Sequence, residues 1–196
     1  MKLTIALAGL FLAVPVLFAE TPAIVSLALE DQFERRQDLK DHRGEVVVLL
    51  YGDRKSTETN RVLGERLHVE FHPTAKGLAP ADARKAPAAA VAGLPAGKKA
   101  PNVQIVPVAC TGKVPGVVTA LVRREIKKAS PDVPVWLDGD DRMKDAFGQH
   151  EGEPNLVVID AAGRLRFRAL GEMDAKTYGR LVEVIDYLRK EAVGVK

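Results

Sequence analysis

The stretch that most constrains the fold is "EVVVLLYG", residues 45–52, an unbroken run of β-branched and leucine residues closed by Gly52. A strand with one solvated side alternates apolar and polar residues, whereas a strand that is apolar throughout is covered on both faces. We therefore expect this strand at the centre of a parallel or mixed sheet with helices on both sides. The 196 residues suffice for one such domain with a real core.

Helix and strand patterns alternate after this strand. Ser56 or Thr57 can cap a helix that ends near His68 or Phe71. A hairpin is expected before the central strand, in residues 23–44. The remaining predicted strands are 102–110, 133–138, 155–160 and 164–170, and the remaining predicted helices are 116–130, 140–148 and 174–192. Pro107 indicates that its strand bends or lies near an edge of the sheet.

Residues 73–100 interrupt this pattern. They are rich in alanine, proline and glycine, carry excess positive charge and contain no aromatic residue. Because such a segment buries little surface, we interpret it as a flexible insertion with one short helix near residues 81–92, not as a second domain.

The first 19 residues resemble a secretory signal. Lys2 precedes a largely apolar run from Leu3 to Phe18, interrupted by Pro15. We therefore expect export to the periplasm or the exterior, with membrane attachment only if this segment is retained as an anchor. The formal charge of +3 comes from bases interleaved with acids, and this pattern argues against a nucleic-acid partner.

Cys110 is the only cysteine in the chain. An exported protein with one thiol forms no internal disulfide, and it cannot run a two-cysteine redox cycle within one chain. This composition limits the chemistry more than any other feature.

Two segments carry a resemblance to a known family. "LEDQFERRQDLKDHRGEVVVLLYG" and "GEPNLVVIDAAGRLRFRALG" are similar to the hairpin, the central strand and the proline-strand-turn-strand unit of the thioredoxin-like superfamily, in its redoxin form, which includes alkyl hydroperoxide reductases and thiol-specific antioxidant proteins. The resemblance covers roughly residues 24–192. It implies an α/β fold with a mixed sheet flanked by helices and an N-terminal β-hairpin, to which this chain adds the Ala/Pro-rich insertion after the first helix. Glu34 stands where the family's hairpin usually has glycine.

The same resemblance identifies a degenerate site. It places Ser56 and Thr59, in "STET", on the two positions of the Cys-x-x-Cys motif, and Pro154 on the position of a cis-proline that faces the active site. A thiolate gains from the helix N-terminus, but a serine hydroxyl holds its proton too tightly to act as the same nucleophile. Capping and local hydrogen bonds are the ordinary roles of these hydroxyls. The peroxidase cysteine of the family is also missing from this helix.

Cys110 is the remaining redox candidate. It ends a strand that we expect beside the central strand, at the same edge as the Ser56 loop. Lys113 follows closely, and a nearby positive charge lowers a thiol pKa. The alternative is a half-buried, inert thiol at a strand end.

His68 and His72 are the only candidates for a metal site. Their spacing places two imidazoles on one face of a helix, and Glu65 could join them if the helix persists toward Pro73. No fourth ligand is evident, so helix-end histidines without metal remain the simpler interpretation, and we expect no cofactor.

Polar loop residues complete the predicted contact surface. Asp53 and Arg54 follow the central strand, and His150 and Glu153 belong to the loop "GQHEGEP" that ends at Pro154. We expect a redox-inactive binding or scaffold domain whose partner is a peptide or protein, contacting residues 52–59, Cys110 and the Glu153–Pro154 loop. In the family this surface meets extended polypeptide beside the proline. The alternative is a redoxin-type oxidoreductase that uses Cys110 alone.

Overall fold

The computed structural model describes residues 23–195, so the predicted signal at residues 1–19 lies outside the described part of the chain. The strands are β1 (Ala28–Asp31), β2 (Arg36–Asp38), β3 (Val46–Gly52), β4 (Val103–Cys110), β5 (Trp136–Asp138), β6 (Asn155–Ile159) and β7 (Leu165–Leu170). The helices are α1 (Thr57–Phe71), α2 (Pro80–Ala83), α3 (Gly116–Ala129), α4 (Arg142–Phe147) and α5 (Ala175–Ala192).

The seven strands form one mixed sheet in the order β2-β1-β5-β4-β3-β6-β7. β3 pairs in parallel with β4 and antiparallel with β6, and all seven of its residues are buried. The continuous apolar run therefore marks a strand covered on both faces, as predicted. The N-terminal hairpin is β1 with β2, and it extends the sheet beyond β5.

Helices cover both faces of the sheet and divide the core in two. α1 and α5 pack on one face through Leu67, Phe71 and the buried side of α5. α4 packs on the other face through Met143 and Phe147. Alternate β3 residues enter the two cores, with Val47 and Leu49 in one and Val48 and Leu50 in the other, because successive strand side chains point to opposite faces.

Pro107 does not place β4 at the edge of the sheet. β4 lies between β3 and β5, so the edge interpretation is wrong for the strand as a whole. The short β5 pairs with β4 only from Val108 to Cys110. Pro107 lies immediately before this pairing, where a missing N–H removes no ladder bond to β5.

The turn of the hairpin retains a left-handed backbone without glycine. Glu34 has φ of 65°. The buried Asp31 carboxylate organises the turn, because it accepts hydrogen bonds from the amides of Phe33 and Arg35 and from the Gln37 side chain. These bonds hold Glu34 in a conformation that ordinarily favours glycine.

The insertion contacts the body at several points. The buried Arg189 of α5 donates from Nε to the Pro101 carbonyl at 3.0 Å and from its guanidinium to the Ala89 carbonyl. Val91 is buried, and the Ala89 amide donates to the Phe71 carbonyl. The α-helix of the insertion, α2, spans only Pro80–Ala83 and is shorter than the predicted 81–92. The predicted flexibility of the segment remains a prediction.

α3 is the least buried of the long helices. The helix forms where the sequence predicts it, but none of its residues is buried. Its Arg123 makes ion pairs with Glu30 and Glu34 of the hairpin, at 2.8 and 3.0 Å. Among residues 23–195, no helix is both long and apolar enough to cross a membrane.

Candidate functional site

The loops that the sequence assigned to a binding surface meet at one edge of the sheet. β3 and β4 are parallel, with Gly52 opposite Ala109, so both strands end at this edge. The loop before α1 and the loop before β6 come together there. The side chain of Asp53, one of the predicted binding residues, connects the two loops.

Asp53 joins the two loops through backbone amides. Its Oδ1 accepts from Lys55 and Ser56 at 2.9 and 3.2 Å, and its Oδ2 accepts from Gly152 at 2.8 Å. Burial alone would raise the pKa of Asp53, but the Gly152, Ser56 and Lys55 amides together hold that pKa below its ordinary value. The Asp53 carboxylate therefore holds the two loops together, and Asp53 is also a candidate contact residue.

Ser56 is buried and does not cap α1 with its side chain. It occupies the N-cap position, but its hydroxyl donates to the Asp53 carbonyl at 3.0 Å. A Cβ on Gly52 would lie 2.1 Å from the Ser56 Oγ, so the two residues are in close contact. The amide of Ser56 bonds instead to the Asp53 carboxylate, and the prediction that Ser56 caps the helix is wrong. Thr59 is exposed in the first turn.

The loop before β6 also differs from what the resemblance implied. No peptide bond among residues 23–195 is cis, so the Glu153–Pro154 bond is trans and the expected cis-proline is absent. The buried Asn155 side chain stabilises this loop: its Nδ2 donates to the His150 and Glu153 carbonyls, and its Oδ1 accepts from the His150 amide. The Glu153 carbonyl thus has an internal partner.

Cys110 lies at this edge but faces the α4 side of the sheet. Its side chain packs with the core that contains Tyr51 and Phe147, whereas α1 covers the opposite face. Burial raises the pKa of the Cys110 thiol to about 12, and the Asp138 carboxylate beside it adds to the rise. The Gly52 amide donates to the sulfur and opposes the shift only in part.

The charge around this thiol is the reverse of the expected one. The nearness of Lys113 in sequence predicts a lowered thiol pKa, but burial and then the charges of Asp138, Asp141 and Asp53 raise that pKa. Asp138 is fully buried opposite Cys110 in the sheet, and its carboxylate accepts from the amides of Arg142 and Met143 at the start of α4. These bonds fix the Asp138 carboxylate beside the sulfur, where it disfavours a thiolate.

Exposed charged side chains surround the edge. Arg54, Lys55 and Lys113 are exposed. On the other loop, His150 Nδ1 lies 3.4 Å from the Glu153 carboxylate, and both side chains are about half exposed. The edge therefore presents cationic groups beside a carboxylate-containing loop.

His68 and His72 form a stacked pair away from this edge. Their ring centroids are 4.4 Å apart. His68 Nε2 lies 3.0 Å from the Ala83 carbonyl, and the His72 nitrogens lie 3.1 and 2.8 Å from the His68 carbonyl and the Asn102 side chain. Glu65 pairs with Arg61 instead. Within residues 23–195, no group of three His, Cys, Asp or Glu side chains is placed to hold a metal ion.

Sequence reasoning missed two residues that shape the site. The strand pattern places Asp138 only at the end of a strand, although the sequence Asp-Gly-Asp-Asp before a helix is a recognisable capping signal. Asn155 was assigned only to the start of β6. A polar residue at the first position of a buried strand is the signal that could have identified it.

Comparisons with known proteins support the fold. No protein-family model matches the chain, and no curated protein matches its sequence. Among solved structures, an exposed lipoprotein thioredoxin from Streptococcus pneumoniae is similar, with a TM-score of 0.51 and 14% identity, covering 82% of this chain and 99% of that one. A protein assigned as a thioredoxin from Neisseria meningitidis has a TM-score of 0.53 and 18% identity, covering 86% and 91%.

A third structure agrees. A protein assigned as a protein disulfide isomerase from Bacteroides thetaiotaomicron has a TM-score of 0.51 and 14% identity, covering 85% of this chain and 87% of that one. At such identities the likeness concerns the backbone and not the chemistry. The mixed sheet flanked by helices and these neighbours together show that the chain has the thioredoxin-like fold.

Proposed function

We propose that this protein is an exported thioredoxin-fold domain without redox chemistry of its own, which binds a peptide or protein partner or holds one as a scaffold. The observation that carries the proposal is the state of Cys110. The only sulfhydryl in the chain is largely buried against the apolar core, and this burial, together with the Asp138 carboxylate, raises its pKa to about 12. Ser56 and Thr59 supply hydroxyls where redox-active members of the fold would need thiols.

The proposed contact surface is the edge formed by residues 52–59, Cys110 and the Glu153–Pro154 loop, in which Ser56 and Pro154 are buried and the exposed neighbours make the contact. Since the Glu153 carbonyl is engaged by Asn155, we propose that a partner is held mainly by side chains and not by a backbone ladder. Arg54, Lys55 and Glu153 are exposed and supply charged hydrogen-bonding groups. Export is supported by the apolar run at residues 3–18 and by the exposed lipoprotein among the structural neighbours.

The first test is enzymatic. Purified protein is supplied with a thiol donor and assayed for disulfide reductase and peroxidase turnover beside the Cys110→Ser variant. We expect no turnover above the donor alone in either protein. Turnover that the Cys110→Ser substitution abolishes would support the redoxin-type alternative and overturn the proposal.

The second test concerns binding. An array of unstructured peptides is probed with wild type, with Arg54→Glu at the edge and with Arg180→Glu on the exposed side of α5. We expect peptides that bind wild type to lose roughly tenfold or more in affinity with Arg54→Glu, because a desolvated charged hydrogen bond is replaced by repulsion. Binding should be unchanged with Arg180→Glu. Equal loss with both variants would contradict the proposed surface.

A further inference from the structure

Helix α3 presents aliphatic side chains to solvent in its first half. Val117 is 84% exposed, Leu121 is 55% exposed and Val118 is 41% exposed. Val114, in the loop before the helix, is also exposed. Single apolar residues are ordinary on a surface, but four within eight positions form a contiguous patch. We call Val114, Val117, Val118 and Leu121 the α3 patch.

The α3 patch is bordered by positive charge. Lys113 precedes it, and Arg124 and Lys128 follow within two turns; all three are exposed. Arg124 and Lys128 continue the outward row of Val117 and Leu121, because residues spaced by three or four share a face. Glu125 is the only acidic residue between positions 113 and 129. Arg123 is paired with hairpin carboxylates, and Lys127 lies over the Phe33 ring. Glu125, four residues after Leu121 on the same face, lies 3.9 Å from Arg124 and offsets part of this charge.

The size and charge of this surface argue against a second copy of the chain. An isologous contact would place the basic side chains of two helices near one another, with only Glu125 to offset them. Four aliphatic side chains also fall well short of the roughly 800 Å² that each partner buries in a stable protein interface. The α3 patch projects from a convex helix instead of lining a groove, so it suits a soft surface better than a rigid one.

We propose that α3 docks on the surface of a membrane that contains anionic lipid. The α3 patch enters the headgroup layer, and Lys113, Arg124 and Lys128 lie over anionic headgroups, the arrangement by which basic amphipathic helices bind lipid. Lysine and arginine stems can lie along the apolar layer while their charged ends stay in water. Neither binding of a peptide at the loop edge nor retention of the N-terminal segment is required.

Tryptophan fluorescence tests the contact locally. Trp136 is the only tryptophan and is buried, so it gives a constant background. Leu121→Trp places a reporter in the α3 patch, and Val62→Trp places a matched reporter on the exposed side of α1, where Val62 is 52% exposed. Each full-length protein is mixed with vesicles of phosphatidylcholine alone or with an equimolar amount of phosphatidylglycerol.

We expect Leu121→Trp to shift to shorter wavelength and to be quenched by brominated acyl chains with the phosphatidylglycerol vesicles only. Val62→Trp should not respond. The excess of co-sedimentation with phosphatidylglycerol vesicles over phosphatidylcholine vesicles should fall roughly tenfold or more when Val117 and Leu121 are both changed to serine, because two aliphatic anchors are lost. It should also fall with Arg124→Glu and Lys128→Glu combined, and in about 1 M salt, where charges are screened within about 3 Å.

Three results would overturn the proposal. The first is no response of Leu121→Trp to anionic vesicles, and the second is an equal response of Val62→Trp, which would indicate non-specific adsorption. The third is a shift that depends on protein concentration without lipid, which would assign the α3 patch to a second copy. Because the reporter lies on α3 itself, attachment of the chain elsewhere does not imitate the expected result.

Discussion

At the scale of single residues, the site is governed by carboxylates that accept backbone amides. Asp53 binds two loops together, and Asp138 holds the start of α4 against the end of β5. Both charges lie near the Cys110 thiol and oppose its ionisation. Burial of Cys110 and the same carboxylates that stabilise the loops therefore disfavour ionisation of the only cysteine.

This arrangement predicts slow alkylation of Cys110. A rise in thiol pKa from 9.0 to about 12 leaves roughly a thousandfold less thiolate at pH 8, since each pKa unit is a factor of ten. Native protein should thus react with iodoacetamide roughly a thousandfold more slowly than protein unfolded in urea, with rates followed by mass spectrometry from pH 7 to 10. Equal rates in the native and unfolded protein would show that the thiol is accessible and ordinary.

At the scale of elements, the insertion depends on a buried cation. Arg189 belongs to α5, yet its guanidinium donates to the carbonyls of Ala89 and Pro101. These two residues bracket the part of the chain that leads from the insertion to β4. Burial lowers the pKa of Arg189, which reflects the cost of placing this charge in the core. An alanine-rich segment that buries little surface is thus attached by hydrogen bonds to a side chain distant in sequence.

Replacing Arg189 tests this attachment. Arg189→Met retains an apolar stem but leaves two carbonyls unpaired, so we expect the free energy of unfolding to fall by roughly 2–3 kcal/mol. Amide hydrogen exchange in residues 86–102 should accelerate at the same time. The exposed Arg180→Met serves as the control and should change neither quantity. Unchanged exchange in Arg189→Met would show that other contacts hold the insertion.

At the scale of the whole molecule, stability rests on burial and hydrogen bonds because one cysteine allows no internal disulfide. Two of the carboxylates that organise loops, Asp31 and Asp53, have pKa values below the ordinary 3.8. For Asp31, burial would raise the pKa, but the Arg35 and Phe33 amides and the Arg35 side chain together lower it. The fold is therefore coupled to acid pH through these residues.

The sign of this coupling follows from the direction of the shifts. A carboxylate with a depressed pKa in the folded state stabilises the protein above the unfolded value near 3.9, and this contribution is lost as pH falls through the folded value. Urea-unfolding midpoints should thus be level from pH 7 to about pH 5 and decline below about pH 4.

Variants separate the responsible groups. Asp31→Asn should be less stable than wild type at pH 7 but should lose less stability between pH 4 and pH 2.5, because it has no charge to neutralise. The exposed Asp132→Asn should follow the wild-type curve. An Asp31→Asn curve parallel to wild type would contradict the role of Asp31.

The sequence by itself determined the central strand, the order of strands and helices, the positions of the turns and the absence of the two cysteines. These features are local: a continuous apolar run, a helical spacing of apolar residues or a missing thiol is visible without knowledge of the partners. The resemblance also predicted the fold, which the structure and its neighbours confirm.

Only the tertiary structure decided the environment of the site. Whether Cys110 meets Lys113 or Asp138, whether Ser56 or Asp53 supplies the hydrogen bond at the start of α1, and whether Pro154 follows a cis bond all depend on groups distant in sequence. A pKa is set by burial and by the distances to nearby charges. Both are fixed only when the strands pair and bring distant residues together. The exposure of the α3 patch is decided in the same way, because an amphipathic pattern shows an apolar face but not what covers it.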